Sequence, residues 1–137
     1  MKLLPSLAAL LLISALACGG HDDDDKNNEL MAPGQNCLAC HGFTVAGTVF
    51  GTANADSGSG LAGITVIITD ANSVDTTLTT NAAGNFFSSA TLALPLKKAA
   101  VVRNGTRTDM GGVPEGACNR CHTLPATGGA AGRIHAS

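Results

Sequence analysis

From Phe43 onward the apolar and polar positions fall into short runs broken by Gly, Asn, Asp and Ser. Phe43 to Phe50 (FTVAGTVF) reads as a first strand, and a polar loop from Gly51 to Gly60 follows it. Ile64 to Thr69 (ITVIIT) is a β-branched run of strand type. Asp70 to Ser73 turns the chain, Thr76 to Thr80 makes a third strand, and Asn81 to Gly84 turns it again. Asn85 to Ser88 starts a fourth strand, and Ala99 to Arg103 a fifth. Asn104-Gly105 is a hairpin signal leading into Thr106-Arg107-Thr108. Past the first residues no stretch keeps a helical period. The pattern predicts a mainly β fold: a small antiparallel β-sandwich over residues 43–109, flanked by a segment at 31–42 and another at 110–137.

The first thirty residues are of another kind. Met1-Lys2 is a short positive start, Leu3 to Leu16 is apolar, and Ala15-Leu16-Ala17 is a small-x-small cleavage pattern. About fourteen apolar residues are too few to span a bilayer comfortably. Residues 1–17 therefore read as a secretion signal, and the mature chain is expected outside the cytoplasm, in the periplasm or on the outer membrane or cell surface. Cys18 stands directly behind the cut and is followed by Gly19-Gly20, which resembles a bacterial lipoprotein lipobox with Ala15 in place of the usual Leu or Val. That resemblance implies a lipidated Cys18 and a membrane anchor; a free thiol there is the alternative. His21 to Asn28 (HDDDDKNN) reads as an acidic, solvated tether within residues 18–30. Part of it also matches a protease-tag sequence, an origin that its place behind a leader argues against.

At 137 residues the chain has room for one small domain, and a formal net charge of −2 excludes the basic footprint of a nucleic-acid binder. Aromatic content is 3%, with four Phe, no Trp and no Tyr. A core so poor in rings points to small β-branched filling, supplemented by a group that the polypeptide does not encode.

Two motifs name such a group. Cys37-Leu38-Ala39-Cys40-His41 and Cys118-Asn119-Arg120-Cys121-His122 both read C-x-x-C-H, the attachment pattern of c-type haem. Two thiols add to the vinyl groups, and the adjacent histidine, His41 or His122, is held under the iron as an axial ligand. The rival readings are a four-cysteine zinc site, redox-active dithiols and structural disulfides. Residues 42–117 separate the pairs, much longer than a zinc-ribbon spacing, and no βαβ pattern surrounds either. Together the motifs use every cysteine except Cys18. Two covalent haem c groups are the expectation.

Opposite axial ligands come from a short inventory. Met31 precedes the first motif across Ala32-Pro33-Gly34, and Met110 precedes the second across Gly111 to Pro114. Methionine ordinarily fills apolar space, but the paired placement makes both candidates. His135 competes for the second iron along the flexible Gly128 to Gly132 run, while His21 sits in the tether. Methionine opposite histidine would raise the reduction potential relative to two histidines.

The segments VAGTV (45–49), GLAGITV (60–66) and TTNAAGNF (79–86) resemble the carboxypeptidase-regulatory-like, transthyretin-type β-sandwich family. That family commonly has Asp where Asn81 stands. The resemblance covers about half the chain and implies a scaffold without chemistry of its own. A motif at each end of a sandwich, with Cys118 to Thr123 followed by Gly132-Arg133-Ile134, is similar to small exported cytochromes of metal-reducing and related bacteria. The implied function is electron transfer to redox partner proteins rather than enzymatic catalysis, with the two haems either side by side or at opposite ends. The latter arrangement would favour self-assembly through haem contacts. A haem enzyme or sensor such as a small peroxidase would need an open axial site, and a non-haem binding lipoprotein would leave both motifs to other chemistry.

Overall fold

The structure is a computed structural model and describes residues 30–137. The signal over 1–17, Cys18, His21 and the tether up to residue 29 lie outside the described residues.

Asn104 and Gly105 both take positive φ, +49° and +80°, the backbone that a tight hairpin turn requires. Strand β5 (Leu96–Arg103) therefore folds straight back as β6 (Thr106–Val113). On the other side of β5 lies β2 (Thr65–Thr69), which pairs in turn with β3 (Asp75–Thr79). The resulting four-stranded sheet has the order β3-β2-β5-β6, and β1 (Val45–Thr48) pairs with β4 (Asn85–Ser88) in a second sheet. Every ladder is antiparallel. The molecule is a small β-sandwich, as the run pattern predicts.

Two side chains shape the turns. Asp70 accepts from the N–H groups of Asn72 (2.8 Å) and Val74 (2.9 Å) through Oδ1, and from Ala93 N–H through Oδ2 (3.2 Å). These bonds favour the charged form, so the Asp70 carboxyl lies below its ordinary pKa, with the Val74 bond the largest cause. Asn81 holds the β3–β4 turn likewise, accepting from Ala83 and Asn85 N–H at 3.0 Å each.

The core draws on both sheets: Val45, Phe86, Val66, Ile68, Leu96 and Val101 pack in one cluster. Burying such side chains supplies the main driving force for folding. Two strands outrun the sequence pattern. Leu96 pairs with Val113, both buried, so β5 begins before Ala99 and β6 continues through Met110 and Gly111-Gly112, where a turn was expected. The ladder overrides local preference because its end is pinned by an apolar pair.

Strand β1 is buried along its whole length, unlike an ordinary edge. One side is taken by β4; on the other, Ala46 N–H donates to Gly116 O (2.9 Å), and just beyond the strand Phe50 N–H donates to Ile134 O (2.8 Å). The second motif segment thus docks along the open side of β1.

Candidate functional site

Each motif folds as one tight turn. Residues Cys37–Ala39 form a 3₁₀ turn, and Cys118–Cys121 form the single-turn helix α1. In both, the histidine N–H donates to the carbonyl of the first cysteine: His41 to Cys37 at 3.0 Å and His122 to Cys118 at 3.1 Å. Side chains three apart on such a turn share a face, so each cysteine pair is presented on one side with its histidine directly after it. That repeated geometry is what double attachment to one porphyrin edge needs.

The second motif is the better enclosed. Cys118 packs in the core cluster, and burial pushes its thiol up to about 12. The approach is close because residue 47 is glycine: a Cβ there would lie 2.6 Å from the Phe86 ring and 3.0 Å from Cys118 Cβ. Beside Cys118 and His122 lies a cavity of about 300 Å³, within the usual range for ligand sites, lined by Val66, Phe86, Val101 and Ile134. His135 lines the same cavity, its Nδ1 3.2 Å from Arg133 O.

His122 Nδ1 lies 2.8 Å from Gly132 O. A carbonyl only accepts, so this nitrogen carries a proton, and when the ring is neutral Nε2 presents a bare lone pair. That lone pair faces Met110 Sδ at 3.1 Å. In this tautomer neither atom has a proton to give, so two Lewis bases point at one locus on the cavity wall. An iron held between them would satisfy both, and the residues present fit that group. The 3.1 Å contact is shorter than a metal between them would need; Met110, unbranched and 36% exposed, has room to withdraw.

The first motif lies nearer the surface. His41 stacks on Phe43 with ring centroids 5.1 Å apart, and Phe43 stacks on Phe87 at 4.7 Å. Met31 is exposed, and its carbonyl accepts from Asn85 Nδ2 (2.6 Å). The structure thus brings Met110 to its histidine but gives Met31 a backbone role. Cys37, Cys118 and Cys121 are free thiols, so neither C-x-x-C pair is closed on itself. Cys40 is disulfide-bonded, and attachment there would require its reduction to the thiol. Burial also raises the Cys37 thiol.

The two motif segments touch. Asn119, inside the second motif, donates to Gln35 O (2.8 Å) and Thr48 Oγ1 (3.0 Å) and accepts from Thr48 N–H (3.1 Å). Thr48 Oγ1 donates to Asn85 Oδ1 (2.6 Å) and accepts from Gly34 N–H (2.9 Å). One buried hydroxyl therefore ties both motif segments to both strands of the smaller sheet. Sequence reasoning missed this joint; an x position of C-x-x-C-H filled by a turn-forming Asn is its only local trace.

Among the described residues no three His, Cys, Asp or Glu side chains cluster as metal ligands, and no helix is long and apolar enough to cross a membrane. No family model, curated protein or solved structure matches the chain.

Proposed function

We propose that this protein is an exported electron carrier that holds two covalent c-type haems, one on each C-x-x-C-H motif. The observation that carries this reading is the opposition of His122 Nε2 and Met110 Sδ beside Cys118, at the wall of an apolar cavity. When bound, haem c supplies a one-electron ferric–ferrous couple. The chain's own part is positional. Gly132 O orients the His122 ring, β6 carries Met110 to face it, and Val66, Phe86 and Val101 exclude water from one wall. Met110 would be the second protein ligand beside His122, with His135 the alternative; a thioether ligand would favour the reduced state. With both His122 and Met110 as ligands, the group at the second motif would leave no place for substrate there, which separates a carrier from a peroxidase or sensor at that motif. The Asn119–Gln35 bond supports the side-by-side arrangement of the two groups over the opposite-ends one.

One observation favours the other reading, a non-haem β-sandwich binding lipoprotein: Cys40 is disulfide-bonded. Intact mass and a pyridine haemochrome spectrum, on chain produced with a cytochrome c maturation system, decide between them. Two haems per chain are expected; a colourless chain without added mass would overturn the proposal. Carbon monoxide should bind the second-motif haem of the reduced Met110→Ala protein and leave that haem of the unsubstituted protein unchanged.

A further inference from the structure

Arg133 is buried to 9% exposure, and among the described residues no carboxylate pairs with it. Its guanidinium carbon sits 4.7 Å above the centre of the Phe50 ring. On another side it packs on Gly34, where a Cβ would fall 2.2 Å from Nη1. Its Nε–H has no acceptor. A cation over an aromatic face gains some stabilisation, but a buried charge without a counter-charge is costly, and native interiors rarely keep one. The surroundings supply no relief. Arg133 stands between the His122 cavity and a second cleft, where Asn36 Oδ1 is also buried without a partner. The other cation of that cleft, Arg120, is already paired to Glu115 at 2.6 Å, and the lining holds no acid. Asp109, in the lining of the same cavity, is engaged by Arg107 at 2.8 Å.

We propose that Arg133 is a carboxylate-binding residue at the joint between the two motifs, and that a propionate of the haem held by Cys118, Cys121 and His122 is the carboxylate it takes. The inference rests on the haem reading above. Arg133 lines both the cavity of His122 and Met110 and the polar cleft, and its buried Nε–H is without a partner. A porphyrin seated there would put its apolar face on Val66 and Phe86 and its acidic edge on the guanidinium. The planar fork is matched to a carboxylate, and Lys would replace its charge but not its geometry. The predicted consequence is electrostatic. With the cation gone, the propionate charge next to the iron is uncompensated, the ferric state gains, and the potential falls. A free carboxylate from solution could take the same place.

Two arms test this. First, haem-loaded wild type, Arg133→Gln and Arg133→Lys are counted for haem and titrated electrochemically. One of the two couples should shift about tenfold toward the oxidised form in Arg133→Gln, about 59 mV for one electron, with a smaller shift in Arg133→Lys. Selective movement of one couple, partly restored by charge, is not what loosened packing would give. Second, the full chain made without haem is titrated with acetate, following the Arg133 Nε–H resonance assigned by its loss in Arg133→Lys. Saturable movement there without a shifted couple assigns the site to a free carboxylate. No shifted couple and no acetate response would overturn the inference while leaving a two-haem count, and hence the function, intact. If the chain takes no haem, the functional reading fails and the acetate arm alone decides the site.

Discussion

Replacing Thr48 by Val removes one hydroxyl and keeps the side-chain shape, which isolates the joint between the motifs. The hydroxyl donates to Asn85 Oδ1 and accepts from Asn119 Nδ2 and Gly34 N. Thr48, Asn85 and Asn119 are all buried, so water does not replace the lost partner at Asn85 or Asn119. Each stranded group costs about 1–3 kcal/mol; Gly34 is half-buried and recovers most of its loss from solvent. Asn119 keeps its bond to Gln35, which limits its share. The expected loss is about 3 kcal/mol, or about 12 °C in Tm at roughly 4 °C per kcal/mol for a domain of this size. Thr48→Ser keeps the hydroxyl and loses one methyl, for about 1 kcal/mol. The assay is urea unfolding of the three purified chains with the slope checked for constancy. A Thr48→Val chain as stable as Thr48→Ser would refute the claim that this hydroxyl holds the joint. A Thr48→Val, Asn119→Ala cycle should show coupling of at least about 1 kcal/mol.

Asp70 stabilises through its depressed pKa, so its contribution is full above about pH 4, the unfolded carboxylate value, and is lost as pH falls through the folded one. Asp70→Asn should therefore lower the urea midpoint at pH 7 and flatten its fall below pH 4; parallel curves would refute the assignment. The raised Cys118 thiol has the opposite sign. In haem-free chain, stability should decline above about pH 8.5, the unfolded value, by up to about 1.4 kcal/mol per pH unit from this group. Cys118→Ala should remove that component. Gly47→Ala drives a Cβ into the Phe86 ring and toward Cys118. It should cost about 1–3 kcal/mol and speed reaction of Cys118 with a thiol reagent, and unchanged reactivity would contradict the close packing.

Strands β2, β3 and β4 were legible because β-branched runs and Asx turns are local signals: ITVIIT, and the Asp70 and Asn81 turns, need no partner to be seen. The ends of β5 and β6 were not. Lys97-Lys98 and Gly111-Gly112 carry no strand signal, and the pairing of Lys98 with Gly111 is held by Leu96 against Val113 at the end of the ladder. Met110 was legible as a candidate from its nearness to the second motif, but reaches His122 from a strand, not across a turn. The Thr48–Asn85–Asn119 joint was invisible because its bonds span 37 and 71 residues. Arg133 was invisible as a site because arginine is ordinarily a surface residue; only its burial without a carboxylate gives it meaning.

The joint also has a consequence in time. Asn119 and Gln35 are 84 residues apart, whereas the β2–β3 and β5–β6 hairpins close over short turns. Loop-closure entropy and contact order make such distant pairings late events in folding. The sandwich can be in place while both motif segments still swing free. Docking of residues 116–119 on β1 then carries the Cys118 sulfur into the core. Closure of the joint would thus set an order in the protein's making: any modification of that sulfur would have to come before it, and a molecule that closed early would be shielded from it until it opened again.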